Sequence, residues 1–331
     1  MLSKTAKLSS KVFKKDIDQI PTRNGYGEGL VEAGKKDERV VALCADLTES
    51  TRTEYFKKIF PKRFIEIGVA EQLLATVAAG MANYGKIPFI SSYSAFSPGR
   101  NWEQIRTTIA INDLPVKIGG AHSGISVGPD GATHQQLEDI AIMRAMPNMT
   151  VIAPCDSIET KKATINAAQT NHPIYIRFTR EKTPVFTTDK TPFKIGRAEI
   201  FYESKNPKVA IIGCGALVYE ALLAARNLEK KGIGCIVVNN HTIKPIDKNT
   251  IIKVAKKTRA VVTVEEHQVT GGLGGAVAEV LSQNYPVPMK IVGVKDRFGE
   301  SGKPEELLKK FGCTSENVIK AVKKVLKMKG K

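Results

Sequence analysis

The feature that most limits this chain is a repeated alternation of short apolar runs with amphipathic stretches. Between residues 24 and 180 the runs "VVALC" (40–44), "RFIEIG" (63–68), "IPFIS" (87–91), "VKIGG" (116–120), "MTVIAP" (149–154) and "PIYIRF" (173–178) have strand length and strand composition. Helical patterns such as "EQLLATVAAGMANYG" and "SIETKKATINAAQ" fall between them. Strand and helix in this rhythm predict parallel strands joined by crossover helices, an α/β doubly wound sheet. In such sheets the loops leaving the C-terminal strand ends carry the ligand groups, so chemistry is expected there.

After Arg180 the pattern gives way to "EKTPVFTTDKTPFKIG" (181–196), polar and proline-bearing, which reads as a linker. A second alternation follows through "KVAIIGCG", "GCIVVNN", "AVVTVEE" and "MKIVGV", with helices through "LEKKG", near 247–257, from "GGLGGAVAEVLSQN" and beyond 304. The expected organisation is a basic N-terminal arm (1–20), a first domain (21–182), a linker (183–197) and a smaller α/β domain (198–331). No internal repeat is present. "GCGALV" and "GGLGG" miss the full dinucleotide-binding spacing, and close helix packing accounts for them better.

The formal charge of +17 comes mostly from dispersed lysines, densest in "MLSKTAKLSSKVFKK" and "VIKAVKKVLKMKGK". No helix-turn-helix, RNA-recognition or zinc-finger spacing accompanies them, so they read as a solvated surface and not as a specific nucleic-acid site. No apolar segment has the length of a membrane span. The five cysteines (Cys44, Cys155, Cys214, Cys235, Cys313) lie far apart without metal spacing, as expected of reduced thiols in a cytoplasmic protein.

Three stretches carry the chemistry. The loop within "IGGAHSGISVGPDGATHQQLEDIAIMR" (118–144) holds His122, His134 and Asp130 among glycines that allow close approach of a ligand. "IGVAEQLLATVAAGMA" puts Glu71 at a helix start, where the macrodipole alone favours a carboxylate. "IPFISSYSAFSPGRNWEQIR" supplies Tyr93 and Phe96 just past a strand end, suited either to the core or to a heteroaromatic ring.

Together with "TRNGYGEGL", "ADLTES", "GVAEQ", "MRAMPNMTVIAP" and "RFTREKTPV", these stretches make the chain resemble the C-terminal half of a transketolase encoded as a separate subunit. The resemblance implies a thiamine diphosphate pyrimidine-binding domain followed by a transketolase C-terminal domain. It implies that Glu71 hydrogen-bonds N1′ of the aminopyrimidine, that Phe96 stacks on that ring with Tyr93 beside it, and that Asp46 lies near the cofactor and the subunit interface. Arg23, Ser50, His122 and Arg180 match groups that bind a sugar phosphate, Asp130 one that reads an acceptor hydroxyl, and His134 one that stabilises the donor-derived carbanion. The implied activity is transfer of a two-carbon ketol unit between sugar phosphates in the pentose phosphate pathway. Neighbouring readings are a 1-deoxyxylulose-5-phosphate synthase-like chain, a 2-oxoacid dehydrogenase β subunit, and a specialised split transketolase for another sugar phosphate. The joint presence of Glu71, Asp130, His134 and Arg180 argues against a non-catalytic basic binding protein. His172, His241 and His267 are not assigned to the chemistry.

Two departures stand out. Gly99 occupies a position where larger transketolases often have a further aromatic, so the pocket is expected to be less enclosed. The GDG motif with a downstream Asn, which holds Mg²⁺ and the diphosphate in the family, does not occur. An N-terminal transketolase subunit carrying it is therefore the expected partner, in an α2β2 assembly.

Overall fold

The computed structural model describes residues 1–329. Its first part contains strands β1 (Gln19–Pro21), β2 (Val40–Cys44), β3 (Phe64–Glu66), β4 (Ile87–Tyr93), β5 (Lys117–Ala121), β6 (Thr150–Ile152), β7 (Ile174–Arg177) and β8 (Lys182–Pro184). The second contributes β9 (Glu199–Glu203), β10 (Pro207–Gly213), β11 (Gly234–Asn239), β12 (Thr242–Lys244), β13 (Val261–Gln268) and β14 (Met289–Val294). Each of the six expected runs in the first part holds a strand. They form one sheet in the order β6-β7-β5-β4-β2-β3, all parallel. Every residue of β2 and of β5 is buried, which is why these strands read as continuous apolar runs and do not alternate. The second sheet runs β14-β13-β10-β11-β9, parallel except for the antiparallel edge strand β9. Both parts are α/β with parallel-rich sheets, as the alternation predicts.

The two parts interlock more than the sequence suggests. β12, which belongs by sequence to the second domain, pairs antiparallel with β6 at the edge of the first sheet. One core cluster runs from Leu43, Leu74 and Ile118 to Ile212, Val238 and Leu273. The stretch expected to be a polar linker starts as β8, paired with β1, and buries Phe186 fully. The expected basic arm is likewise packed: Ala6, Val12 and Ile17 join the second domain's core beside Phe201 and Tyr202. Apolar residues spaced among the lysines dock the segment while the cationic heads stay in water, a pattern that a charge count conceals.

Helix positions follow from local chemistry. The helix Glu71–Asn83 turns Leu74, Ala75, Ala78, Ala79 and Ala82 into the core, an amphipathic face at helical spacing. The helix Leu273–Asn284, which follows "GG", has its first amides taken by a buried carboxylate: Glu265 accepts from Leu273 N at 2.6 Å and from Gly274 N at 2.8 Å. That end is satisfied by protein, in keeping with packing and not with a dinucleotide site. All five cysteines are buried and unpaired. Among the described residues no helix is long and apolar enough to cross a membrane.

Candidate active site

Because β2, β3, β4, β5 and β7 are parallel neighbours, their C-terminal ends share one edge of the sheet. The segments that leave them carry Asp46 and Ser50, Glu71, Phe96, His122, and Arg180 respectively, with Tyr93 the last residue of β4. The residues read from separate stretches of sequence thus converge by topology.

Glu71 is the first residue of its helix and only 1% exposed. Its Oε1 accepts from Ser92 Oγ at 3.1 Å and its Oε2 from Arg100 Nη1 at 2.6 Å, while Asn101 Nδ2 donates to its carbonyl at 2.9 Å. Burying a carboxylate without such hydrogen-bond partners would be costly. Tyr93 and Phe96 lie near parallel with ring centroids 6.0 Å apart and 23° between planes. Tyr93 also stacks on His122 at 3.9 Å, and His134 stands edge-on to Phe96 at 5.3 Å. One aromatic and imidazole cluster therefore joins the loop after β4 to the loop after β5.

His122 is buried, adopts φ of 55°, and leaves Nδ1 without a partner. Burial, and after it the positive charges of Arg23 and Arg180, push its pKa down to about 3, so the imidazole is neutral near pH 7. Arg23 donates from Nη1 to Ser50 O at 3.1 Å. Burial and the nearby Arg52 and Arg180 lower its pKa, the signature of cations gathered at one place. Arg180 donates from Nη1 to Val127 O at 3.0 Å and lies 3.5 Å from Asp130 Oδ1, so arginine and aspartate meet across the mouth of the loop. His134 Nδ1 is 2.8 Å from Thr133 Oγ1.

The glycines have specific work here. Gly124 has φ of +93°, and a Cβ there would lie 2.4 Å from Glu266 Oε1. Glu266 comes from β13 of the second domain and accepts from Ser126 N at 2.6 Å. A Cβ on Gly99 would fall 2.1 Å from Ala95 O, so the observed turn has no room for the aromatic residue its position suggests. The next residue, Arg100, lies over the ring instead, its guanidinium carbon 4.6 Å from the Phe96 ring centre.

Asp46 is not drawn into this cluster. Its side chain is exposed, its φ is +56°, and its backbone N–H donates to Glu66 Oε1 at 2.7 Å. The three unassigned histidines also lie elsewhere: His172 pairs with Asp113 on the surface, His241 stacks on Phe193, and His267 is buried in β13. Arg52, Arg100 and Glu266 were not legible as site residues from the sequence. "SPGR" directly after the aromatics, and two glutamates inside the apolar run "AVVTVEE", were the available signals. A charge in a buried strand implies a partner that justifies it. Among the described residues no group of three or more His, Cys, Asp or Glu side chains is placed to hold a metal ion.

The model of the transketolase pyrimidine-binding domain matches residues 18–185, and that of the transketolase C-terminal domain matches residues 196–318. A Methanocaldococcus jannaschii protein described as a transketolase C-terminal section is 47% identical over 92% of this chain and 96% of its own length. A Clostridium protein named 6-deoxy-6-sulfo-D-fructose transketolase subunit is 40% identical over 96% of this chain and 98% of that one. The rat transketolase is 39% identical, but the matched region covers 92% of this chain and 49% of the rat enzyme, about half of its length. Among solved structures, a split-gene transketolase described as an inactive β4 tetramer superposes with a TM-score of 0.87 at 45% identity, covering 94% of this chain and 99% of that one. On this fold, this constellation and these likenesses, the chain belongs to the transketolase family and corresponds to its C-terminal section, a pyrimidine-binding domain followed by a transketolase C-terminal domain.

Proposed function

We propose that this chain is one subunit of a two-chain, cytoplasmic transketolase that moves a two-carbon ketol unit from a ketose phosphate to an aldose phosphate in the pentose phosphate pathway. The observation that carries this reading is the pairing of a buried carboxylate and aromatic face at one end of the cluster with gathered guanidinium groups at the other. The first end suits a flat, nitrogen-bearing heterocycle and the second a terminal anion. Thiamine diphosphate, when bound, supplies a carbon nucleophile that amino-acid side chains cannot provide. Arg100 supports the fit: a planar N–H donor already lies over Phe96 and donates to Glu71, the same pattern an aminopyrimidine offers.

In this reading Glu71 holds the ring nitrogen, Ser92 fixes the other carboxylate oxygen, and Phe96 and Tyr93 form the platform. Asp130 and His134 face the sugar's hydroxyls, with His134 next to the reacting carbons. Arg23, Ser50, His122 and Arg180 take the far phosphate, His122 as a neutral group. Asp46 is assigned to the subunit interface near the cofactor. Mg²⁺ and the diphosphate fall to an N-terminal partner bearing GDG and a downstream Asn, in an α2β2 assembly. Purified alone, the chain should show no ketol transfer, and mixing with the partner, thiamine diphosphate and Mg²⁺ should restore it. Robust turnover by the chain alone would sink the two-subunit reading.

The relative named as a sulfofructose transketolase subunit favours a second reading, in which the terminal anion is not a phosphate. A sulfonate is a monoanion and a phosphate near pH 7 mostly a dianion, so three arginines around one neutral histidine favour the phosphate. Competition between the two sugars in the assembled enzyme decides between them.

A further inference from the structure

We infer that Arg100 is a built-in occupant of the pyrimidine site, filling it in the unassembled chain and leaving when the cofactor enters. The inference rests on the reading of Glu71 and Phe96 as the pyrimidine site. Three contacts define the occupant. Its Nη1 donates to Glu71 Oε2 at 2.6 Å, its guanidinium carbon sits 4.6 Å over the Phe96 ring, and its own N–H donates to Phe96 O at 2.9 Å. The last contact, with Ser97 N donating to Tyr93 O at 2.8 Å and Gly99 N to Ser94 O at 3.1 Å, is the turn that folds the arginine back over the ring. Gly99 makes that turn possible.

A guanidinium is flat, stacks on aromatic faces and donates in plane, as a protonated or amino-bearing pyrimidine does. Both cannot bind one Glu71 oxygen and one face of Phe96 at once. The asymmetry of exposure decides which one moves: Glu71 is 1% exposed and fixed by Ser92 and Asn101, whereas the Arg100 side chain is 47% exposed and has water to swing into. Occupation also keeps the buried Glu71 carboxylate paired before assembly, so an empty site does not leave an uncompensated charge.

The test uses the full chain without partner and thiamine, which carries the aminopyrimidine but no diphosphate, with binding read by calorimetry and by the fluorescence of Trp102, the single tryptophan. Arg100→Ala should bind thiamine about tenfold more tightly than wild type, because no charge-assisted pair has to be broken first. Arg100→Lys, which keeps the charge but neither the plane nor the fork, should lie between them. Adding Glu71→Gln to Arg100→Ala should erase the gain. Equal or weaker binding by a folded Arg100→Ala, with folding checked by its melting transition, overturns the inference, as does a gain that survives Glu71→Gln. The underlying reading is tested separately: if Glu71→Gln leaves cofactor affinity of the assembled enzyme unchanged, the pyrimidine site is misassigned and the Arg100 inference falls with it. Loss there, with no gain in Arg100→Ala, refutes the Arg100 inference alone.

Discussion

Replacing Arg180 by alanine separates substrate-end recognition from chemistry. The Arg180 side chain is 30% exposed and commits Nη1 to Val127 O, with Asp130 and Glu181 carboxylates at 3.5 and 3.7 Å. Under the proposed function its Nη2, which makes no hydrogen bond among the described residues, is the group that meets an incoming phosphate. A lost charge-assisted contact to a dianion costs about 2 to 4 kcal/mol, and partial solvent access puts the expected value near the lower end, ~2 kcal/mol or roughly thirtyfold in kcat/KM. The loss should fall mainly on KM, because a contact far from the reacting carbons is made equally in the ground and transition states. The assay compares ribose 5-phosphate with glycolaldehyde as acceptors in the assembled enzyme under one donor. Glycolaldehyde has no phosphate, so its kinetics should hardly change, and the preference for phosphorylated acceptors should shrink. Arg180→Lys is the control for the bond to Val127 O, since it keeps a donor to the loop. If Arg180→Ala impairs both acceptors equally, the arginine supports the loop and the phosphate assignment is wrong.

Two further outcomes are expected. Glu71→Gln should lower kcat of the assembled enzyme by roughly 10²- to 10⁴-fold, the scale of a lost acid–base partner. Its melting midpoint should move little, because an amide oxygen still accepts from Ser92 and a half-exposed Arg100 turns to solvent; a change beyond about 1 kcal/mol would assign Glu71 a structural role. The second concerns pH. His122 has a folded pKa near 3 against 6.5 when exposed, so between those values the unfolded chain holds the extra proton and stability rises with pH. Wild type should therefore lose stability as pH falls from 6.5 towards 3, by as much as roughly 4 kcal/mol from this group. His122→Asn should lose less over the same window in urea melts. Parallel curves for the two proteins would show that the buried imidazole is not the source.

How much of this was legible in the sequence depended on whether a residue's role is local or made by topology. Strand runs such as "VVALC" and "IPFIS" announced themselves because both faces of a parallel sheet are buried. Glu71, Tyr93, Phe96, His122 and His134 stand out because each closes or follows a strand or opens a helix beside a loop rich in small residues. Arg100 did not, since its meaning lies in a turn that carries it back over Phe96, and "SPGR" reads equally well as a surface turn. Arg52 was hidden in the same way: it ends a four-residue helix in the left-handed region, φ of 65°, and reaches Asn24 Oδ1 at 3.0 Å, a contact 28 residues back in the chain. The packing of the N-terminal segment is hidden from the sequence because lysines dominate a charge count while Ala6, Val12 and Ile17 decide the packing.

The second domain contributes no residue to the aromatic cluster, yet it holds the glycine-rich loop after β5 in place. Besides Glu266 on Ser126 N, Gln135 Nε2 of the loop donates to Glu300 O at 2.9 Å and Gln268 N donates to Leu137 O at 2.9 Å. Arg177 Nη2 at the end of β7 donates to Glu266 O at 2.8 Å, and its Nε donates to the buried Asp139 at 2.8 Å. Burial raises the pKa of Glu266, while Arg177 and the Ser126 amide act in the opposite direction, so the same contacts that favour the carboxylate form also fix the loop. A segment with glycines at 124, 128 and 131, all at positive φ, would otherwise be free to sample many shapes. Under the proposed function, anchoring it from outside reconciles two demands: a backbone slim enough to approach a small polyol, and imidazoles held still enough to act on it. The aromatic and imidazole cluster thus sits on one sheet edge while the neighbouring domain, none of whose side chains joins it, holds its loop in place; under the proposed function that makes the C-terminal domain a positioning element for the chemistry.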